Sequence, residues 1–184
     1  MARFPVDYLK PYEKSSQTLN VVVETPKGSQ VKYAYQSNLG LYVVSKVLPR
    51  GMIFPYNFGF VPGTLAPDGD PIDMLILNEE SLACNTLLTV HPLAVIKATQ
   101  VEVKGGKPLR NDRLVGETVS KELPLKSRQL TLDRVTVNEI GVFFQTYNRL
   151  YGKKFQVIGL AGSREARKLT EEAVARYRHQ QGMR

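Results

Sequence analysis

Leu19-Asn20-Val21-Val22-Val23-Glu24-Thr25, Gln30-Val31-Lys32-Tyr33-Ala34-Tyr35-Gln36 and Leu41-Tyr42-Val43-Val44-Ser45-Lys46-Val47 follow one another with only short interruptions. Each is rich in β-branched and aromatic residues, the composition of a strand. Pro26-Lys27-Gly28-Ser29 and Ser37-Asn38-Leu39-Gly40 separate them, and both are turn sequences. Three strands with such short connections predict a meander. Glu24, Lys32 and Lys46 are the polar residues these strand contexts do not favour.

Downstream, the Pro- and Gly-punctuated aromatic run 54–63 reads as an ordered, packed loop, and the apolar Ile72-Asp73-Met74-Leu75-Ile76-Leu77 as a buried strand. Residues 87–103 are long and mostly apolar, a strand or two strands broken near Pro92. Lys104-Gly105-Gly106-Lys107-Pro108 then forms a hairpin-like tip, and Arg113-Leu114-Val115-Gly116 returns from it. The pattern changes at 134–151, where apolar residues recur at nearly helical spacing. A short strand at 153–160 follows. Ser163 is the expected N-cap of a last helix, although no capping-box Glu stands three residues on. Strands followed by helices predict an α+β fold, and a small closed barrel with helices outside removes the sheet edges.

The 184 residues, 42% of them hydrophobic, suffice for one domain, 1–184, with a sizeable core. No apolar run is long enough for a membrane span, and the N-terminus lacks a signal-peptide core. The single Cys84 rules out an internal disulfide and predicts a reducing, cytoplasmic setting. With only His91 and His179 beside it, a zinc cluster is not expected. The net charge of +8 favours anionic partners. The excess in the last third sits on Arg164, Arg167, Lys168, Arg176 and Arg178, which read as a solvated helix face lacking the aromatic interleaving of single-strand binders.

Asp68-Gly69-Asp70-Pro71-Ile72-Asp73 places three carboxylates within six residues. Two such charges at ~4 Å repel by about 4 kcal/mol at an effective dielectric of about 20. Water, hydrogen-bond donors or a divalent cation must offset this. Gly69 and Pro71 stiffen the turn. Carboxylates on a stiff turn at a strand end suit hard, oxygen-seeking cations such as Mg²⁺ or Ca²⁺, although Asp-Gly and Pro are also ordinary turn residues. An EF-hand loop does not fit, because counting from Asp68 its obligatory glycine position is Asp73. The inward-tending acidic turn also argues against a nucleic-acid-binding barrel.

From about residue 19 to residue 162 the sequence resembles the soluble, Mg²⁺-dependent inorganic pyrophosphatases of the barrel-fold family. The resemblance is carried by Val-Val-Glu-Thr-Pro around Glu24, Val-Lys-Tyr around Lys32, Phe-Pro-Tyr-Asn-Phe-Gly-Phe from Phe54, the D-G-D-P-x-D signature at Asp68, Asn111-Asp112-Arg113-Leu114, and Phe143-Phe144-Gln145-Thr146-Tyr147. It implies a closed five-stranded OB-like β-barrel with flanking helices, the main ones C-terminal. It further implies hydrolysis of pyrophosphate to two phosphates by metal-activated water, with Mg²⁺ as cofactor and a homo-oligomeric assembly. Asp70 would orient or deprotonate the attacking water. Asp68, Asp70, Asp73, Glu24 and Asp112 would be the metal-site carboxylates. Lys32, Lys46, Arg113 and Tyr147 would bind phosphoryl oxygens. The sequence departs from the family pattern at Gln100 and Asn111, where acids are expected, and at Ala34, Lys46, Phe58 and Asn148. These departures raise the alternative of a catalytically weakened homologue that binds phosphate compounds or a partner.

Overall fold

A computed structural model describes residues 5–12, 17–102, 104–119 and 132–182. The strands are β1 (Leu19–Thr25), β2 (Val31–Gln36), β3 (Leu41–Val47), β4 (Asn57–Val61), β5 (Ile72–Leu77), β6 (Leu87–Glu102), β7 (Leu109–Arg110), β8 (Arg113–Thr118) and β9 (Lys153–Gly162). The helices are α1 (Arg134–Leu150) and α2 (Ser163–Gln180). Ladders run β1–β4–β5–β8–β6, and β6 pairs again with β1, so five strands form a ring of hydrogen-bonded neighbours. Only β5 and β8 are parallel within that ring. Long β6 extends beyond the ring to carry β7 and β9. The expected α+β class and five-stranded ring are both present.

Two local expectations change. The first three strands are not a meander, because β2 and β3 form a separate two-stranded sheet. Side chains at the end of β1 take backbone groups of β2 in place of a ladder: the Thr25 hydroxyl accepts from the Tyr33 amide at 3.1 Å, and the Glu24 carboxylate accepts from the Tyr35 amide at 2.8 Å. The aromatic run 54–63, expected to be a loop, contains the fully buried strand β4. Gly59 permits this, since a Cβ there would lie 2.1 Å from the Val22 carbonyl oxygen. The glycine that looks like punctuation is where β1 and β4 approach too closely for any side chain.

Residues 87–102 form one strand despite Pro92, whose missing N–H is absorbed at a register shift against β8 between Pro92 and Ala94. α1 begins as its pattern predicts, and Asp133 caps it by accepting from the Thr136 amide at 2.8 Å. α2 begins one residue earlier than expected: Gly162 is the N-cap, and Ser163 is the first helical residue.

Side-chain parity sorts the core into two clusters. Met74 and Ile76 of β5 join Val21, Val23, Leu114, and Ala166 and Ala173 of α2. Leu75 and Leu77 join Phe54, Phe58, Val115, and Ile140, Phe144 and Tyr147 of α1. Both faces of β5 are therefore covered, one by each helix. At about 25 cal/mol per Å² of apolar surface, each fully buried Leu, Ile or Phe contributes about 2 kcal/mol against chain entropy. No described helix is long and apolar enough to cross a membrane.

Candidate active site

The acidic turn is built chiefly by backbone and hydroxyl bonds, with one carboxylate of its own taking part. The Thr64 hydroxyl donates to the Val61 carbonyl at 2.6 Å and accepts from the Ile72 amide at 3.0 Å, tying the end of β4 to the start of β5. Ala66 donates its amide to the Asp70 carbonyl at 2.7 Å, and Gly69 donates to Ala66 at 3.1 Å with φ at 94°. That φ is why a glycine stands between the two aspartates. Asp68 accepts from the Asp70 amide at 3.3 Å.

Sheet register places the remaining groups. Val22, Phe60, Asp73 and Arg113 follow one another across β1, β4, β5 and β8. Asp73 shares parity with Leu75, and Arg113 with Val115, so both lie on the aromatic side of the sheet. Their side chains pair at 3.3 Å. A bulge between Val23 and Thr25 sets Glu24 out of the β1–β4 ladder at the same end of the ring.

The four carboxylates are electrically coupled. Burial is the largest influence on Glu24 and pushes its pKa from 4.5 up to about 7; the fields of Asp73 and Asp70 add to this, while Lys32 and the Tyr35 amide oppose it. Asp68 is also raised, first by desolvation and then by Asp73 and Asp70. Asp70 is raised by desolvation and by Asp73, against Lys32 and Lys153. Asp73 is thus the common neighbour of the other three. Among the described residues no three His, Cys, Asp or Glu side chains form a tight ready-made cluster. The chemistry of the set nevertheless fits a hard cation, since it consists of oxygen donors that hinder one another's ionisation.

Cations and aromatic rings form the opposite wall. Lys32 Nζ lies 5.2 Å from the centre of the Phe58 ring, and Lys46 Nζ lies 4.8 Å from the rings of Tyr147 and Tyr151. Tyr147 on α1 is buried, and its hydroxyl has no hydrogen-bond partner among the described residues. Desolvation drives its pKa above the ordinary tyrosine value, with Arg113 opposing and Asp73 and Glu24 adding. An orphaned hydroxyl beside a lysine and an arginine is an available donor for an anionic oxygen.

Of the residues singled out in the sequence, Glu24, Lys32, Asp68, Asp70, Asp73, Arg113 and Tyr147 come together, and Lys46 lies over the Tyr147 ring. Asp112 does not join them. It has the parity of Leu114, so its carboxylate turns to the opposite face of the sheet. There it accepts from Arg110 Nη2 at 2.6 Å and Nε at 3.1 Å, and from the Ala98 amide at 2.9 Å. The carboxylate expected there as a metal ligand is thus engaged by Arg110 and the Ala98 amide, apart from Asp68, Asp70 and Asp73. Arg113 is held through two of its three nitrogens, its buried Nε having no partner among the described residues. It is 5% exposed, with Nη1 donating to the carbonyl and side-chain oxygens of Asn111 and Nη2 facing Asp73. Its guanidinium packs over Phe144 at 4.4 Å and Phe155 at 5.0 Å, so it is a fixed part of the wall. Lys153, whose field reaches Asp70, was not anticipated, because only the pairing of β9 with β6 brings it to the site. Asn148 is buried and donates to the Phe144 carbonyl at 2.8 Å within the helix.

Known proteins resemble this chain over most of its length. A family model described as inorganic pyrophosphatase matches residues 21–178. An inorganic pyrophosphatase of Methanosarcina acetivorans is 35% identical over 164 residues, covering 88% of this chain and 93% of that protein. One from Sulfolobus acidocaldarius is 31% identical over 172 residues, covering 91% and 96%. The crystal structure of inorganic pyrophosphatase from Thermus thermophilus superposes with a TM-score of 0.80 at 28% identity, covering 94% of this chain and 98% of that one.

Proposed function

The chain belongs to the inorganic pyrophosphatase family, and from that premise we propose that it hydrolyses inorganic pyrophosphate to two phosphates with Mg²⁺ as cofactor. The observation that carries this reading is the coupled set Glu24, Asp68, Asp70 and Asp73 facing Lys32, Lys46 and Tyr147. Pyrophosphate is a compact polyanion, and its hydrolysis requires charge neutralisation, alignment and a deprotonated water. Asp68, Asp73 and Asp70, with Glu24 beyond them, would hold the metal, which when bound would neutralise phosphate charge and acidify water. Asp70, on the exposed turn and with a pKa above its ordinary value, takes the proton of the attacking water. Lys32 and Lys46 hold phosphoryl oxygens as point charges, and the Tyr147 hydroxyl donates to one. Arg113, whose buried Nε has no partner among the described residues, is a further donor to a phosphoryl oxygen. No covalent intermediate is required.

The single Cys84 supports a cytoplasmic setting. Exposed Val142, Ile158 and Leu160 on α1 and β9 support assembly into a homo-oligomer. Phosphate release from pyrophosphate with Mg²⁺, with EDTA, and with Asp70→Asn in Mg²⁺ tests the reading. Release is expected only in the first condition. Folded wild-type protein that releases no phosphate with Mg²⁺ would remove the activity, and a fully active Asp70→Asn would remove Asp70 from it.

A further inference from the structure

Arg113 is a buried cation held between the Asp73 carboxylate, the rings of Phe144 and Phe155, and the amide side chain of Asn111. Asn111 grips Nη1 with two oxygens, and its own Nδ2 donates to Gln100 Oε1 at 3.4 Å. Gln100 shares parity with Ile96 and Ala98, whose side chains belong to the same aromatic cluster. The chain of contacts Gln100–Asn111–Arg113–Asp73 thus runs from β6 through the β7–β8 connection to β5. It brings one full positive charge to the carboxylate that neighbours all the others, and no carboxylate in that chain besides Asp73 shares the guanidinium.

We infer that Arg113, oriented by Asn111, is a resident counter-ion of Asp73 and limits how many divalent ions the acidic site takes up. A guanidinium at 3.3 Å occupies one oxygen of Asp73 and cancels its charge locally. The arginine cannot swing away freely, because Phe144 and Phe155 pack against it and Asn111 holds its other arm. Asn111 is therefore a positioning residue: it acts on metal uptake through the guanidinium. A carboxylate at position 111 would compete for that guanidinium and return Asp73 to the cation. This inference rests on the reading of Asp68, Asp70 and Asp73 as a metal site.

Mn²⁺ binding without substrate, followed by electron paramagnetic resonance of the free ion, separates the two. Asn111→Asp is nearly isosteric, and one added charge within a few ångströms is expected to tighten Mn²⁺ binding by ~10-fold or add one equivalent per chain. Asn111→Ser loosens the grip without adding charge; it is expected to lower the melting temperature and to tighten Mn²⁺ binding less than Asn111→Asp does, and unchanged Mn²⁺ affinity in the folded variant would remove the positioning role of Asn111. Gln100→Glu places the charge one link further away and serves if Asn111→Asp does not fold. Its expected effect has the same sign and is smaller. Mn²⁺ stoichiometry and affinity unchanged in either folded acidic variant overturn the inference and leave the metal site standing. Wild type that binds no Mn²⁺ overturns both.

Discussion

Glu24 offers the sharpest test of the electrostatic description, because its burial and its usefulness pull in opposite directions. Its carboxyl titrates at 4.5 in an ordinary setting and at about 7 in the folded chain. A folded state that holds the proton more tightly than the unfolded state loses stability as pH rises. The contribution of Glu24 is therefore fully favourable below about pH 4.5, declines through the interval up to about 7, and is constant above it. The distance between the two values, at about 1.4 kcal/mol per pH unit, corresponds to about 3 kcal/mol of native-state cost at alkaline pH. Glu24→Gln keeps an oxygen to accept the Tyr35 amide and removes the charge. It is expected to stabilise the metal-free protein by about 2 to 3 kcal/mol at about pH 8, and by almost nothing at about pH 4.5.

The assay is urea unfolding of wild type and variant in EDTA across that range. Asp68 and Asp70 also titrate above their ordinary range, and they are present in both proteins, so the difference between the two curves isolates Glu24 apart from its coupling to them. A difference that does not change with pH, or that grows as the solution becomes acidic, would refute the assignment of Glu24 as a buried, ionisation-resistant carboxyl. The same substitution is expected to weaken Mg²⁺-dependent turnover, since a side chain retained at this cost is one the site uses.

Tyr147→Phe deletes a buried hydroxyl with no partner among the described residues, so thermal unfolding is expected to show unchanged or slightly raised stability while the KM for pyrophosphate rises; loss of stability with unaltered kinetics would contradict the donor role. Gly59→Ala forces a Cβ to 2.1 Å from the Val22 carbonyl, and a loss of several kcal/mol or failure to fold is expected from circular dichroism and urea titration, since backbone on both sides must move. Mg²⁺ at about 100 times its Kd is expected to raise wild-type stability by about 2.7 kcal/mol through mass action, with a smaller gain in Asp68→Asn at the same concentration. Equal gains in the two proteins would take Asp68 out of the metal site.

The sequence makes the acidic turn legible because its logic is local. Gly69 supplies a positive φ and Thr64 closes the turn within a dozen residues. The strands of the ring are legible for the same reason, apart from β4, whose Pro and Gly residues mimic a loop until Gly59 is seen against Val22. The placement of Asp112 depends on more than composition. Alternation along β8 sets it on the side of Leu114, and Arg110 two residues earlier takes its carboxylate. Lys153 is less accessible still, since its approach to Asp70 exists only because β6 outruns the ring and carries β9.

The ring explains why these charges meet at one end of the molecule. Antiparallel β1–β4 and β4–β5 ladders make β1 and β5 run the same way, and β8 follows β5 in parallel. Unshifted register would leave Glu24 inside the β1–β4 ladder, two positions along from the row that holds Asp73. The bulge after Val23 releases it, and the Tyr35 amide from the separate β2–β3 sheet fixes it in its new direction. That hairpin also delivers Lys32 and Lys46 over the aromatic wall. Pairing β2 onto β1 as a simple meander would have used the Tyr35 amide in a ladder and withdrawn both lysines from the acidic turn. The departure from a meander is therefore what allows a cationic wall to face a carboxylate cluster, the arrangement a phosphoric anhydride requires.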